Sequence, residues 1–509
     1  MKSLLTKIRV AAYVAVAILF ALAFSVSSTK AQNGGGASAP APQETPPPPS
    51  APRPVNVPKP VERTLRNGLR VIVIEHHETP LVVAQLMIKN GGEVDPPDLS
   101  GVADMTASLL TKGTKTRTAP QIAEEVEALG GQLNSGAGWD ASRATVNVLA
   151  SKTPQAMAIL ADVVRNPVFK EEEIERLRQQ YQDSLSVGMN SPGQLASWVA
   201  ARVVFGADAY GHPISGTPES LARIKRDDIV AIHDKYYRPD NAVLVIGGDI
   251  KAADAFQIAE RTFGDWAKPS TPLVMPVSVS DVGYATGPQR VVVVDMPGAG
   301  QAAVLFARRG IARTDPEYYT GLVANSVLTG YSGRLNEEIR IKRGLSYGAG
   351  SSLQVRRAVG PFVASAQTKN QSGADVASLL VQELTRLSNE PVAESELTPR
   401  KATLIGGFGR SLETTEGLVG QIASLALYGL KLDEINNYIA SVQAVTAPQI
   451  QKFAGARLGV KDADIVIVGD AKDFIEPLRK QFPNVEVIKR DDLDLNSATL
   501  RKSATSATK

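Results

Sequence analysis

The chain has 509 residues, 43% apolar and 21% charged, with a net charge of +3 and no cysteine. That length and apolar content suffice for two or more domains with sizeable cores. The missing cysteine excludes disulfides, zinc–thiolate sites, a cysteine nucleophile and a lipidated N-terminal cysteine. Lys2, Lys7, Arg9 and Lys30 all lie in the first 31 residues, which hold no Asp or Glu, so the remainder carries −1 and shows no nucleic-acid footprint.

Residues 1–31 read as a secretory signal peptide. Lys2, Lys7 and Arg9 form a basic start, Val10 to Phe24 is an uncharged, largely apolar run, and Thr29-Lys30-Ala31 offers small residues for cleavage. The expectation is an exported protein of a bacterial periplasm. The alternative is an uncleaved anchor in the inner membrane, although the run is short of the ~20 residues a spanning helix needs. Residues 32–60 are rich in Pro, Ala and Gly and read as a disordered tether.

Folded sequence begins near residue 61. Asn67-Gly68 signals a turn into the strand-like Leu69 to Ile74, and Leu81 to Ile88 is a second strand. A helix follows at about 101–112, then a short one from Gln121 to Leu129 and a strand from Thr145 to Leu149. Helices at about 154–165, 170–188 and 226–236 lead to a strand at Ala242 to Ile246. Residues 268–288 form a Pro/Gly-rich linker. Beyond it the order repeats: strands at Arg290 to Val294 and Ala302 to Phe306, a helix at Pro316 to Leu328, a strand at Ser351 to Val355, a helix at Gly373 to Leu387 and a closing strand at Ile465 to Val468. The pattern predicts two copies of one α+β unit, at 61–267 and 289–490, with a disordered tail at 491–509.

The helix at 101–112 carries an informative gap. Gly101-Val102-Ala103 leads in and Lys112-Gly113-Thr114 leads out. This frame resembles the zinc-site helix of the pitrilysin/insulinase peptidase family, which includes the mitochondrial processing peptidases. In that family the helix carries His-x-x-Glu-His, where two imidazoles one turn apart hold Zn²⁺ and the Glu takes a proton from its water. Here Asp104, Ala107 and Ser108 fill those three positions. The family's third ligand is a Glu about 76 residues past the second His, and that count reaches Ser184, one residue beyond Asp183. The sequence therefore predicts no metal in this chain.

Asn67 to Val71, Tyr210-Gly211-His212-Pro213 with Gly216-Thr217, Tyr236 to Ala242 and Gly333 to Tyr347 extend the resemblance over about residues 60–485. It implies an α+β fold of two homologous domains (the processing-peptidase or LuxS-like metallohydrolase fold) enclosing a cleft. Glu75-His76-His77-Glu78 looks metal-like in isolation. Adjacent residues of an extended chain face opposite ways, however, so it reads as a solvated strand end. His212 reads as structural and His233, on a helix face beside Asp234, as a surface or core-edge residue.

Glu337 to Tyr347 resembles the family's Arg/Tyr motif, with Arg340 and Tyr347 seven apart and Arg343 as the competing arginine. In the family this pair faces the zinc, the guanidinium binding a substrate carbonyl or carboxylate and the phenol donating to the developing oxyanion. The alternative is an Arg340–Glu337 pair with Tyr347 in the core. Absent zinc residues beside a kept Arg/Tyr pair match one subunit of the family's two-subunit peptidases. The resemblance thus implies a non-catalytic subunit that completes the site of a zinc-bearing homologous partner acting on peptides or unfolded polypeptide, with no nucleic acid involved. Two further readings stay open: a binding or assembly protein without catalysis, and a stand-alone zinc peptidase with rearranged ligands.

Overall fold

The computed structural model describes residues 57–274 and 289–502. The expected signal segment, residues 32–56 of the tether, residues 275–288 of the linker and residues 503–509 lie outside the described residues.

Gly68, at φ 94°, donates its N–H to the Leu65 carbonyl at 2.9 Å and turns β1 (Val61–Thr64) into β2 (Arg70–Glu75). With β3 (Leu81–Ile88), β4 (Gln132–Ala137), β5 (Ser142–Leu149) and β6 (Ala242–Gly248) they form a six-stranded sheet in the order β1-β2-β6-β3-β5-β4. The second sheet holds β7 (Val291–Asp295), β8 (Ala302–Arg309), β9 (Ser346–Leu353), β10 (Pro361–Thr368), β11 (Asp464–Gly469) and β12 (Val485–Lys489), ordered β12-β7-β11-β8-β10-β9. Its run β7-β11-β8-β10-β9 repeats β2-β6-β3-β5-β4 with the same parallel or antiparallel sense at every pair. The fold is α+β, with two homologous halves.

The helices of the first half that bear on the site are α1 (Val102–Leu109), α2 (Ala119–Ala128), α3 (Thr153–Arg165), α4 (Glu171–Met189) and α5 (Pro192–Phe205). A sixth, α6 (Thr415–Leu427), belongs to the second half. β6 is buried along its whole length. Leu244 and Ile246 face the core of their own half, where α3 packs. Val243 and Val245 face Leu418, Val419 and Ile422 of α6. The second sheet mirrors this: Val291 and Val293 join their own core, while Val292 and Val294 meet Leu195, Ala196 and Val199 of α5. Each half therefore covers one face of the other's sheet with a helix. Burial on both faces is why these strands are unbroken apolar runs rather than alternating ones.

The expected disordered tail at 491–509 is corrected for residues 491–502. Leu493, Leu495 and Leu500 are buried, Arg202 of α5 donates to the Leu495 carbonyl at 2.9 Å, and Thr217 donates to Asn496 at 2.9 Å. Three leucines spaced among polar residues show no helix or strand period, so the sequence read as polar. The last tether residues are also engaged: Val57 is buried and its N–H donates to Asn436 at 3.0 Å.

Candidate functional site

The frame of α1 is kept for structural reasons. Asp95, with a fully buried side chain, accepts the N–H groups of Gly101 at 2.6 Å and Ala103 at 2.9 Å and so caps the helix. Burial holds the Asp95 pKa well above the usual carboxylate range against those two donors. Gly101 takes φ 95°, and a Cβ there would lie 2.8 Å from the Gly216 nitrogen. Two motif loops thus meet glycine on glycine. His212 is buried between the carbonyls of Pro213 and Gly92, edge-on to Trp139, and burial lowers its pKa to about 4.

On the site face of α1, Ala107 is fully buried, while Asp104 and Ser108 are half-buried. The residue that reaches them is Tyr181 of α4. Its hydroxyl donates to Asp104 Oδ2 at 3.1 Å and lies 3.0 Å from Ser108 Oγ. Ser215 Oγ donates to the same carboxylate oxygen at 3.1 Å. Burial raises the Asp104 pKa, opposed by Ser215, Tyr181 and the Ala137 N–H of β4. The expected third position, Ser184, is exposed instead, with its hydroxyl donating to the Gln180 carbonyl at 2.8 Å. Asp183 is also exposed and accepts from Gln179. Tyr181 lies three residues earlier, almost one helical turn. Counting from Ser108 reaches it only if the segment between has lost those residues.

This cluster does not fit zinc. A zinc peptidase site needs three protein ligands of His, Asp, Glu or Cys type, and the cluster offers one carboxylate, already satisfied by hydroxyl and amide donors. Among the described residues no group of three or more His, Cys, Asp or Glu is placed to hold a metal ion. His77 uses its two ring nitrogens on two different acids, Asp249 at 2.7 Å and Glu75 at 3.3 Å, which raise its pKa in that order. His233 stacks on Tyr237 and meets the Val164 carbonyl at 2.8 Å.

The Arg/Tyr motif lies on a π-helical turn, Glu337–Lys342, and the start of β9. A π turn displaces side chains from the regular helical face and often marks a functional site. Glu338 takes both Arg343 and Lys342. Arg340 has no ion pair among the described residues, and its guanidinium carbon sits 5.3 Å over the exposed Tyr331 ring. Tyr347 is 89% exposed. β9 is the edge of its sheet, and Tyr347 lines a cleft of about 640 Å³ with Ser197 of α5, Gln301 and Gln367.

Residues 70–198 match the family model described as insulinase (peptidase family M16), and residues 223–404 match the one described as peptidase M16 inactive domain. The chain belongs to the pitrilysin/insulinase-type peptidase family. It is 25% identical to an uncharacterised zinc protease of Streptomyces coelicolor over 81% of this chain and 89% of the relative. An uncharacterised zinc protease of Rickettsia bellii is 29% identical over 75% and 91%. A solved peptidase M16 inactive domain from Pseudomonas fluorescens superposes with a TM-score of 0.74 at 26% identity, covering 81% of this chain and 98% of that one. A protease from Helicobacter pylori shares the fold, with a TM-score of 0.74 at 20% identity over 81% and 100%. In this member of the family the entry of α1 is held by glycine and capping contacts, and Asp104 and Ser108 lie in a closed hydroxyl–carboxylate cluster.

Proposed function

We propose that this chain is the zinc-lacking subunit of an exported heteromeric zinc metallopeptidase. It supplies Arg340, Tyr347 and a peptide-holding wall to a homologous subunit that carries the metal. The observation that carries this reading is the contrast between the two motifs. The cluster of Asp104, Ser108, Tyr181 and Ser215 is satisfied within itself. Tyr347 is exposed at a sheet edge, Arg340 is half-buried on the preceding π-helical turn with no ion pair among the described residues, and the neighbouring cations are tied to Glu338.

Within the pair, Arg340 binds a carbonyl or carboxylate of the peptide with its fixed fork of donors. The Tyr347 phenol donates a hydrogen bond to the oxygen that gains charge as the partner's metal-bound water attacks. The free edge of β9 offers backbone groups to an extended peptide, which gives affinity with loose sequence preference. Residues 1–31 support a location in a bacterial periplasm, by cleavage or by anchoring to the inner membrane.

Co-expression with a homologue bearing intact His-x-x-Glu-His, followed by size-exclusion chromatography and an unfolded-peptide assay, tests the reading. The two chains are expected to co-elute and to cleave only together. A zinc-bearing chain that is equally active with and without this one overturns the proposal.

A further inference from the structure

The hairpin between β9 and β10 carries two consecutive arginines with opposite fates. Arg357 is fully partnered by the first half: Nη1 to Glu93 at 3.2 Å, Nη2 to the carbonyls of Lys89 at 2.7 Å and Asp140 at 3.0 Å, and its N–H to Asp140 Oδ2 at 2.8 Å. Arg356 is 6% exposed and has no carboxylate at ion-pair distance among the described residues. Its guanidinium carbon lies 4.4 Å from the Trp139 ring centre and 4.5 Å from that of Tyr210. Nη1 has no hydrogen-bond partner, and Nη2 reaches only Gln354, at 3.5 Å. Burial lowers the Arg356 pKa to about 10. A buried guanidinium with no carboxylate in contact is a costly arrangement, because aromatic faces and the more distant Asp140 offset only part of its lost hydration. The backbone around it is fixed: the Arg356 carbonyl accepts from Arg313 at 2.8 Å, and the neighbouring Arg357 is clamped as above.

Arg356 lines a cavity of about 470 Å³ between α5 and the second sheet, with Trp139, Trp198, Ala201, His212 and Gln354 among its walls. This cavity shares Ser197, Leu305, Gly350 and Ser365 with the 640 Å³ cleft that Tyr347 lines. The two are one groove that follows β9 from Ser346 to Gln354. From Tyr347 to Leu353 is six residue steps, about 20 Å of extended chain.

We infer that this groove is a peptide-binding site in which Arg356 anchors a carboxylate, roughly six or seven residues from Tyr347. The occupant is an extended peptide segment, because the groove is long, narrow and lined by hydroxyls and apolar surface, with one unmatched cation at its end. The anchored group is a carboxylate, from either the peptide's C-terminus or an acidic side chain. The spacing from Tyr347 rests on the proposed role of that residue; binding at Arg356 does not.

The chain itself carries the probe. Two of its 3 tryptophans, Trp139 and Trp198, line the cavity, so occupancy is read by intrinsic fluorescence without a partner or any turnover. The full chain is titrated with a neutral eight-residue peptide ending in a free carboxylate, with its C-terminal amide, and with the amide carrying a penultimate Glu. The free acid is expected to bind roughly 10- to 100-fold more tightly than the amide, the range of one charge-assisted contact. Restored affinity in the Glu peptide assigns the anchor to any carboxylate, and no restoration assigns it to the C-terminus. Arg356→Gln should erase the acid–amide difference and Arg356→Lys should keep part of it. Ala201→Phe, which fills the cavity and leaves Arg356 in place, should weaken the free-acid peptide. No fluorescence response to any peptide, equal binding of acid and amide by the natural chain, or the same preference in a folded Arg356→Gln protein overturns the inference. Any of these results leaves the partner reading of Arg340 and Tyr347 standing.

Discussion

If the cluster on α1 is a metal site emptied of its ligands, restoring zinc requires Tyr181 rather than Ser184. The Tyr181 hydroxyl lies 3.1 Å from the Asp104 carboxylate and 3.0 Å from the Ser108 hydroxyl. Ligand atoms about 2.1 Å from a tetrahedral zinc are about 3.4 Å apart, so the Tyr181 tip already stands at nearly the right spacing from each of the other two. Ser184 is exposed and bonds back to its own helix. The variant Asp104→His/Ala107→Glu/Ser108→His/Tyr181→Glu should therefore bind one zinc, whereas the same triple change with Ser184→Glu should present only two histidines to it. A site with a Kd near 1 μM corresponds to about 8.2 kcal/mol. Zinc at a hundredfold excess over that Kd adds about 2.7 kcal/mol of stability and raises Tm by a few degrees. Equilibrium dialysis with metal analysis, and melting with and without zinc, measure both effects. Equal zinc affinity in the two four-residue variants would refute the assignment of Tyr181 to the third position.

The exchanged helices predict a single unfolding unit: Ile422→Ala, at a fully buried site of α6 against the first sheet, should cost about 2–5 kcal/mol and keep one urea transition reported by both halves; two separate transitions would contradict the cross-packing. His212, buried and held near pKa 4 against an unfolded value near 6.5, binds fewer protons folded than unfolded between those pH values. Its contribution is full above pH 6.5 and lost as pH falls toward 4, about 3 kcal/mol in all. Urea titrations from pH 7 to 4 should show a shallower loss in His212→Gln than in the natural chain, and identical slopes would refute the assignment. Tyr181→Phe strips one donor from the half-buried Asp104 carboxylate and should destabilise by about 1–3 kcal/mol in the same assay.

The sheets were legible where apolar runs are long and bounded by turns, as at Leu81 to Ile88 and Val291 to Val294. The helices that lock the halves together were not. Pro192–Phe205 and Thr415–Leu427 are pressed between two bodies and are apolar on most sides, so they lack the single stripe by which a surface helix is recognised. Of Ser346–Leu353 the sequence shows only the end, from Ser351, because Gly and Ser fill most of the strand and an exposed edge strand needs no alternating apolar face. At the site, Asp104, Ala107 and Ser108 are legible as residues that do not make the His-x-x-Glu-His pattern. That Tyr181, rather than Ser184, reaches Asp104 and Ser108 depends on the rotation of a helix, which residue spacing alone does not give. Arg356 gave no signal, since only the fold distinguishes it from Arg357.

If this chain completes a partner's active site, steady-state kinetics of the assembled pair will show it. Tyr347→Phe should lower kcat about 10²–10³-fold with little change in KM, because a phenol that bonds the developing oxyanion acts mainly in the transition state. Arg340→Ala should also raise KM. Lys342→Ala, whose ammonium pairs with Glu338 at 3.1 Å, should leave both unchanged. Each variant is first checked for folding and for assembly with the zinc-bearing chain. A Tyr347→Phe pair as active as the natural one, alongside a Lys342→Ala pair that loses activity, would show that Tyr347 does not serve the partner's active site.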